Sequence, residues 1–267
     1  DSSQKNIISR SYSIYEFPLS FSWEGNFMIQ AIFFDFYNTL GKFYPPRDRL
    51  QSSACADFGI DVTKKGIDKG YALADAFMAS TKSQGSLRDF TDRKKEDFFA
   101  EYERLILKGA GVMVSKDMAY QIWQRIRKME YGIILFDDVL AAFDLLKQQG
   151  LTLGLISNID SDIGKLIDDL KLSLYIDFAV VSSEVGHEKP HPAIFLSALD
   201  KAQVQPSEAI HVGDQIEADV EGARAVGINP VLIDRYSTNL DYKDYPRIKS
   251  LMDIYELLPN YMDNFLK

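Results

Sequence analysis

Apolar and polar positions follow two distinct rhythms along most of this chain. Five short runs, Ala31–Phe34, Leu151–Ile156, Phe178–Val181, Ala209–Val212 and Pro230–Ile233, are apolar and rich in β-branched or aromatic residues, which predicts buried strands. The segments between the later runs carry helical spacing instead. Asp137–Gln149 sets Val139, Leu140, Phe143, Leu145 and Leu146 on a helical stripe, and Gly150 supplies a stop. Asp160–Leu172, His191–Ala202 and Glu217–Val226 repeat the pattern, the last ending at Gly227. Alternation of this kind predicts an α/β fold, a doubly wound parallel sheet with helices on both faces.

The gap between the first two strands breaks the rhythm. Residues 46–131 hold amphipathic helical stretches at Asp48–Phe58, Ile67–Thr81, Asp92–Leu107 and Lys116–Met129 but no convincing strand. Pro45-Pro46 opens this region and Gly132 closes it. The expected organisation is a core made of residues 29–45 and 132–267, interrupted by an all-helical insertion at 46–131. An insertion after strand one sits above the carboxyl edge of the sheet, where a lid excludes water and selects substrate. Residues 1–28 lack the apolar segment of a signal peptide and are expected to be an extension outside the fold, with Met28 just before the first strand. Leu251–Leu258 reads as a closing surface helix.

Composition narrows the function. With 46% hydrophobic and 26% charged residues in 267, a full globular core is available. The net charge of −9, from 39 acidic and 30 basic residues without a Lys/Arg-dense stripe, argues against nucleic acid as the main partner. Apolar runs all fall short of the roughly 20 residues that span a bilayer, so no membrane association is expected. The single cysteine, Cys55, rules out an internal disulfide and fits a reducing, cytoplasmic setting. It reads as a small buried hydrophobe on a helix of the insertion.

Candidate chemistry collects at the carboxyl ends of the predicted strands, where ligands bind in parallel α/β sheets. Asp35 and Thr39 follow the first strand, Ser157-Asn158 the second, Lys189-Pro190 the third and Gly213-Asp214 with Asp219 the fourth. Singly, each has a bland reading: a turn, a helix cap or a solvated lysine. A set of strand-end groups in this order is harder to assign to independent turns. A carboxylate such as Asp35 belongs at the end of a buried strand only where something charged or reactive meets it.

In order and spacing the four elements resemble the motifs of the haloacid dehalogenase superfamily of hydrolases. Asp35-Phe36-Tyr37-Asn38-Thr39 resembles the first motif, Ser157-Asn158 the second and Lys189-Pro190 the third. Gly213-Asp214-Gln215-Ile216-Glu217-Ala218-Asp219 is similar to the fourth, and the resemblance runs from about Ile29 to Arg235. It implies a Rossmann-like core with a C1 helical cap, close to subfamily IA. It also implies roles. Asp35 is the nucleophile that forms a covalent intermediate. Thr39 and Ser157, with backbone amides beside them, donate to the group under attack, Asn158 of the second motif belongs to the catalytic set, and Lys189 neutralises charge. Asp35, Asp214 and the main-chain carbonyl of Tyr37 hold Mg²⁺, and Asp219 supports that shell.

Two chemistries of the superfamily make different electrostatic demands. Metal-free dehalogenation of a halo-acid needs fixed positive charge, whereas here Asp35, Asp214 and Asp219 face Lys189 alone. Like charges ~4 Å apart repel by about 4 kcal/mol at an effective dielectric near 20, so the cluster calls for a divalent cation. A Mg²⁺-dependent phosphatase acting on a small phosphorylated metabolite is therefore expected, as a monomer or homodimer. Tyr37 points the other way. Phosphatases of the family usually carry Asp there, whereas the 2-haloacid dehalogenases carry Asp-x-Tyr-Gly-Thr, from which this motif departs at Asn38. The Arg expected in a dehalogenase cap is absent around Lys64–Lys69, although Arg47 and Arg49 lie nearer the motif, and Phe195 replaces a Tyr. The alternatives are carbon–halogen hydrolysis and a catalytically weakened phosphate-binding relative. Tyrosine near pKa 10 donates a proton but is a poor base, so turnover of alkyl phosphates is expected to be slow.

Three histidines complete the candidate list. His187 and His191 flank Lys189 and are read as loop polar groups, with a substitute base as the sharper alternative. His211 reads as a packed strand residue. Glu184 and Glu188 either tune Lys189 or face water. Tyr71, Phe77, Phe98, Phe99 and Trp123 fall at helical spacing in the insertion, which predicts core packing.

Overall fold

The computed structural model describes residues 28–82, 87–158 and 162–258. The expected extension, Met28 apart, lies outside the described residues. Among the described residues there are eight strands: β1 (Ala31–Phe34), β2 (Gly41–Tyr44), β3 (Gly132–Leu135), β4 (Thr152–Ser157), β5 (Phe178–Val181), β6 (Ala209–Gly213), β7 (Asn229–Ile233) and β8 (Arg247–Ile248). Six of them form one parallel sheet in the order β5-β4-β1-β6-β7-β8, while β2 and β3 form a separate two-stranded sheet.

The central strand explains the architecture. All four residues of β1 are fully buried, as a strand covered on both faces requires. Alternate side chains point to opposite faces. Phe33 joins a cluster with Ile194, Phe195, Ala198 and Leu199 of helix α8 (Pro192–Ala202), while Phe34 packs against Phe143 of α5 (Val139–Gln148), with ring centroids 5.0 Å apart. This is the α/β layering that the alternation predicted.

The described chain divides into two compact units. One runs up to Lys42 and resumes at Leu135, and the other is Phe43–Ile134. The second holds α1 (Arg47–Ala56), α2 (Lys64–Lys82), α3 (Asp92–Gly109) and α4 (Lys116–Arg127). Here α2 and α3 approach at Gly70 and Gly109, where a Cβ on Gly109 would lie 2.3 Å from the Gly70 Cα. Cys55 is buried in a cluster with Ala54, Leu107 and Ile122. The aromatic residues pack on each other, Phe77 on Phe98 at 5.0 Å and Phe99 on Trp123 at 4.7 Å.

Several elements differ from the sequence reading. Strands β2, β3 and β8 differ from that reading: each is short and only partly buried, β2 and β8 carry no apolar run, and the run Ile133–Leu135 of β3 directly follows Gly132, read as the end of the insertion. In α5, Ala142 takes an inward position and Leu140 is 39% exposed. The expected helix at Asp160–Leu172 is α6 (Ile163–Asp169), capped by Asp162 through the Lys165 N–H; residues 159–161 are outside the described set. A one-turn helix, α7 (Ser182–Val185), follows β5. The segment Glu217–Val226 is not one regular helix. It opens with a π turn, Ile216–Glu221, and continues as α9 (Gly222–Ala225). Leu251–Leu258 is a 3₁₀ turn followed by α10 (Ile254–Leu257), docked by buried Leu251 and Ile254 rather than lying free on the surface.

Candidate active site

Neighbouring strands of a sheet lie about 4.8 Å apart, so residues at adjacent strand ends meet. Asp35 follows β1, Ser157 is the last residue of β4, and Gly213-Asp214 end β6. These strands are neighbours, and the chain order reverses between β1 and β6. That reversal is a topological switch point, the usual ligand crevice of open α/β sheets. The Asp35 N–H still donates to the Val212 carbonyl at 2.9 Å, so the ladder itself fixes its main chain.

Lys189 arrives from the loop between α7 and α8 and is almost fully buried. Its Nζ donates to Asp35 Oδ1 at 2.6 Å, to Asp219 Oδ1 at 2.7 Å and to the Ile156 carbonyl at 3.0 Å. All three ammonium protons are thus used. Its backbone is held as firmly. Asn158 Oδ1 accepts from the Lys189 N–H at 2.7 Å, and Asn158 Nδ2 donates to the Lys189 carbonyl at 3.1 Å. Asn158 is therefore spent on positioning Lys189. Thr39, fully buried, donates to Asp35 Oδ2 at 3.2 Å.

Asp219 owes its place to Gly213. A Cβ at residue 213 would fall 2.2 Å from the Asp219 Cγ, so only glycine lets the carboxylate fold back over the end of β6. Its Oδ2 accepts the Gln215 N–H at 3.1 Å, and the Val220 N–H reaches back five residues to the Gln215 carbonyl. This is the physical source of the π turn, a form that often marks functional sites. Behind Asp219 lies fully buried His211, with Nε2 3.0 Å from Asp219 Oδ1. A carboxylate only accepts, so the Nε2 carries the proton, and Nδ1 is buried without a hydrogen-bond partner. His211 is packed, as expected, and it also contacts the site, which the sequence did not show.

Asp214 completes the acidic group. Oxygens of Asp35, Asp214 and Asp219 all lie within 4.8 Å of one another, the group of this kind found among the described residues. Asp214 Oδ2 accepts from Asn38 Nδ2 at 3.1 Å, while its Oδ1 is buried with no partner. An unpartnered buried carboxylate oxygen beside two more carboxylates fits a hard, oxygen-seeking divalent cation.

Protonation follows the same geometry. Burial would raise the Asp219 carboxyl, but Lys189 and His211 outweigh it and hold it far below the usual range. Burial would lower the Lys189 ammonium, yet Asp219 and Asp35 push it up instead. Asp35 is raised to about 6, chiefly by burial, with Lys189 opposing and Asp219 adding to the rise. Asp214, remote from compensating charge, is pushed by burial and then by Asp35 and Asp219 to about 8. Burial lowers His211, which is neutral. One lysine serves three carboxylates, and Asp214 is the one left short of positive charge.

The remaining candidates are placed more plainly. Tyr37 is half-buried, with its ring edge-on to Phe36 at 5.4 Å. Ser157 is buried at the end of β4. His187 and His191 stack on each other at 3.8 Å, both exposed, and His191 Nδ1 caps α8 by accepting from the Ala193 N–H. Arg47 lies over the Tyr71 ring. Arg235, which sequence reading passed over, donates to the Thr39 carbonyl through Nε (2.9 Å) and Nη2 (2.6 Å), and through Nη1 to Asp138 at 3.0 Å. It clamps the turn carrying Asp35 and Thr39, and nothing in local sequence pattern distinguishes it from a surface arginine.

Comparison with known proteins agrees with this geometry. A sequence model of the haloacid dehalogenase-like hydrolases matches residues 29–227. Among curated relatives, haloacid dehalogenase-like hydrolase domain-containing protein 3 of Bos taurus is 38% identical over 87 residues, 33% of this chain and 35% of that protein. The aligned part thus spans about a third of that relative's length. The ribulose-1,5-bisphosphate 5-phosphatase of Halopiger xanaduensis is 26% identical over 229 residues, 78% of this chain and 85% of that protein. Among solved structures, the magnesium-bound HAD-hydrolase YfnB of Bacillus subtilis superposes with a TM-score of 0.63 at 18% identity, covering 87% of this chain and 99% of that one.

Proposed function

Because the chain belongs to the haloacid dehalogenase-like hydrolases, we propose that it is a Mg²⁺-dependent phosphatase acting on small phosphorylated metabolites through a covalent intermediate on Asp35. The observation that carries the reading is the unpartnered, buried Oδ1 of Asp214 beside the Asp35–Lys189 ion pair. The phosphatase names among relatives, such as the Halopiger protein, support it. No helix among the described residues is long and apolar enough to cross a membrane. A small dissolved substrate is consistent with that.

Each residue then has a task. With its pKa near 6, Asp35 is mostly the carboxylate at neutral pH, the nucleophilic form. An Asp35 oxygen attacks phosphorus, the bond from phosphorus to the ester oxygen breaks, and the leaving oxygen takes a proton from solvent. Water then attacks phosphorus and returns a proton to solvent, the phosphorus–Asp35 bond breaks, and inorganic phosphate departs with the carboxylate restored. Lys189, held by Asn158, Asp219 and the Ile156 carbonyl, keeps a fixed positive charge against the nucleophile. Thr39 fixes the other Asp35 oxygen, and Ser157 offers a hydroxyl at the neighbouring strand end. Asp35, Asp214 and the Tyr37 carbonyl, with Asp219 in support, would hold Mg²⁺, which would supply positive charge against the phosphate oxygens. Tyr37 occupies the place of the family's usual second acid, so proton delivery is weak.

Tyr37 is also the one observation that favours carbon–halogen hydrolysis. Both readings are tested by offering phosphorylated metabolites and 2-haloacids with Mg²⁺ and with EDTA. Phosphate release that EDTA abolishes and added Mg²⁺ restores is expected. Halide release indifferent to EDTA would replace the phosphatase with a dehalogenase. Binding of a phosphate analogue without turnover on the whole panel would mark a weakened relative.

A further inference from the structure

The turn after β1 holds a side chain that the chemistry above does not use. Asn38 has φ +57°, in the left-handed region where glycine and then asparagine are tolerated best. Its N–H donates to the Gly41 carbonyl at 2.8 Å, and the Leu40 and Gly41 N–H groups both donate to the Phe36 carbonyl. Glycine would satisfy that backbone fully. Asparagine adds a donor, Nδ2, which reaches Asp214 Oδ2 at 3.1 Å across 176 residues of chain.

The two ends of a carboxylate are chemically alike, so a donor on one end decides which end stays open. On Asp214 the amide takes Oδ2, and Oδ1 remains buried and unpartnered. Aspartate at position 38 would tolerate the same φ but would set a third like charge against Asp214 and Asp35. Asparagine supplies the left-handed turn and a neutral donor together.

Building on the metal-dependent reading above, we propose that Asn38 is a positioning residue that orients Asp214 for a divalent cation, and so sets Mg²⁺ affinity rather than the rate of bond-making. Outer partners of metal ligands typically contribute about 10–100-fold in affinity.

Asn38→Gly removes the donor and keeps the left-handed turn free of strain. Isothermal titration of the substrate-free protein with Mg²⁺ should show the dissociation constant rising at least about 10-fold. The Mg²⁺ concentration for half-maximal turnover should rise in parallel, with kcat regained at saturating Mg²⁺. The metal-free melting temperature should stay close to that of the unsubstituted protein, which a general loosening of the turn would not allow. An unchanged Mg²⁺ affinity overturns the role of Asn38 and leaves the phosphatase reading standing. So does a loss of kcat that saturating Mg²⁺ fails to restore. Absence of any Mg²⁺ binding by the unsubstituted protein overturns the metal reading, and this role with it.

Discussion

Replacing Glu103 by Gln should stabilise the protein above neutral pH and leave it nearly unchanged in mild acid. Glu103 lies on α3 and is 1% exposed, without a cationic partner in its hydrogen bonds. Gln51 Nε2 donates to its Oε1, while Gln51 Oε1 accepts from the Tyr71 hydroxyl at 3.4 Å. The titratable neighbours do not help it ionise, since burial pushes Cys55 up to about 11 and raises Tyr71 as well. Burial accordingly moves the Glu103 carboxyl from its ordinary 4.5 to about 7, with the Gln51 bond opposing. That displacement corresponds to about 3 kcal/mol. Below pH 4.5 the group is protonated whether the chain is folded or not, and stability is whole. As pH rises from 4.5 to 7 the unfolded chain loses the proton while the folded one keeps it, so stability falls. Above 7 the loss is complete. Glutamine mimics the protonated acid, with a carbonyl for Gln51 and an N–H₂ where the acid has O–H. Given an unfolding entropy of ~2.1 cal/mol/K per residue, a gain of about 3 kcal/mol raises the melting temperature at pH 8 by about 6 °C. Thermal melts of both proteins between pH 4 and 8.5 make the comparison. Parallel curves, or a variant less stable at pH 8, would refute the cost of ionising a buried Glu103.

Three further outcomes follow from the same structure. Tyr37→Asp supplies the absent acid–base group and should speed hydrolysis of an alkyl phosphate by about 10²-fold or more in a phosphate-release assay; no gain would remove Tyr37 as the limit on turnover. Lys189→Met strands two buried carboxylates and should abolish turnover while lowering stability in urea unfolding by about 3–5 kcal/mol. Activity close to that of the unsubstituted protein would contradict its place between Asp35 and Asp219. Gly70→Ala puts a Cβ 2.0 Å from the Ile106 carbonyl oxygen and should cost about 1–3 kcal/mol in thermal melts, despite alanine's better helix propensity.

What the sequence revealed, and what it hid, divides along physical lines. The parallel core was legible because strands buried on both faces write continuous apolar runs, as in Ala31–Phe34. The strand-end groups Asp35, Lys189 and Asp219 were legible because spacing places them, and the structure joins them directly. Strands β2 and β8 were hidden because neither carries an apolar run, and β3 because its short run Ile133–Leu135 adjoins Gly132, which also reads as the close of the insertion. The π turn was hidden because it is produced by Asp219 folding back over Gly213, a contact no periodicity encodes. Asn38 and Arg235 were unassigned because each acts on a residue far away in sequence, and His211 because it meets Asp219, eight residues on, only where that carboxylate folds back over β6. An isolated histidine on an apolar strand looks identical whether its ring ends in packing or on a carboxylate.

The central position of β1 has a bearing on how the chain is made. Its apolar residues are translated ahead of both neighbours, since Ala31 pairs with Thr152 on one side and with Ala209 on the other. At about 5–20 residues per second, its second neighbour emerges roughly 10–40 s later. The helices of Phe43–Ile134, by contrast, form one contiguous stretch that is complete before either partner of β1 exists. During synthesis β1 therefore stays unpaired until β4 emerges and half-paired until β6 does, and Asp35 meets Lys189 and its fellow carboxylates only after residues 189–219 have been added.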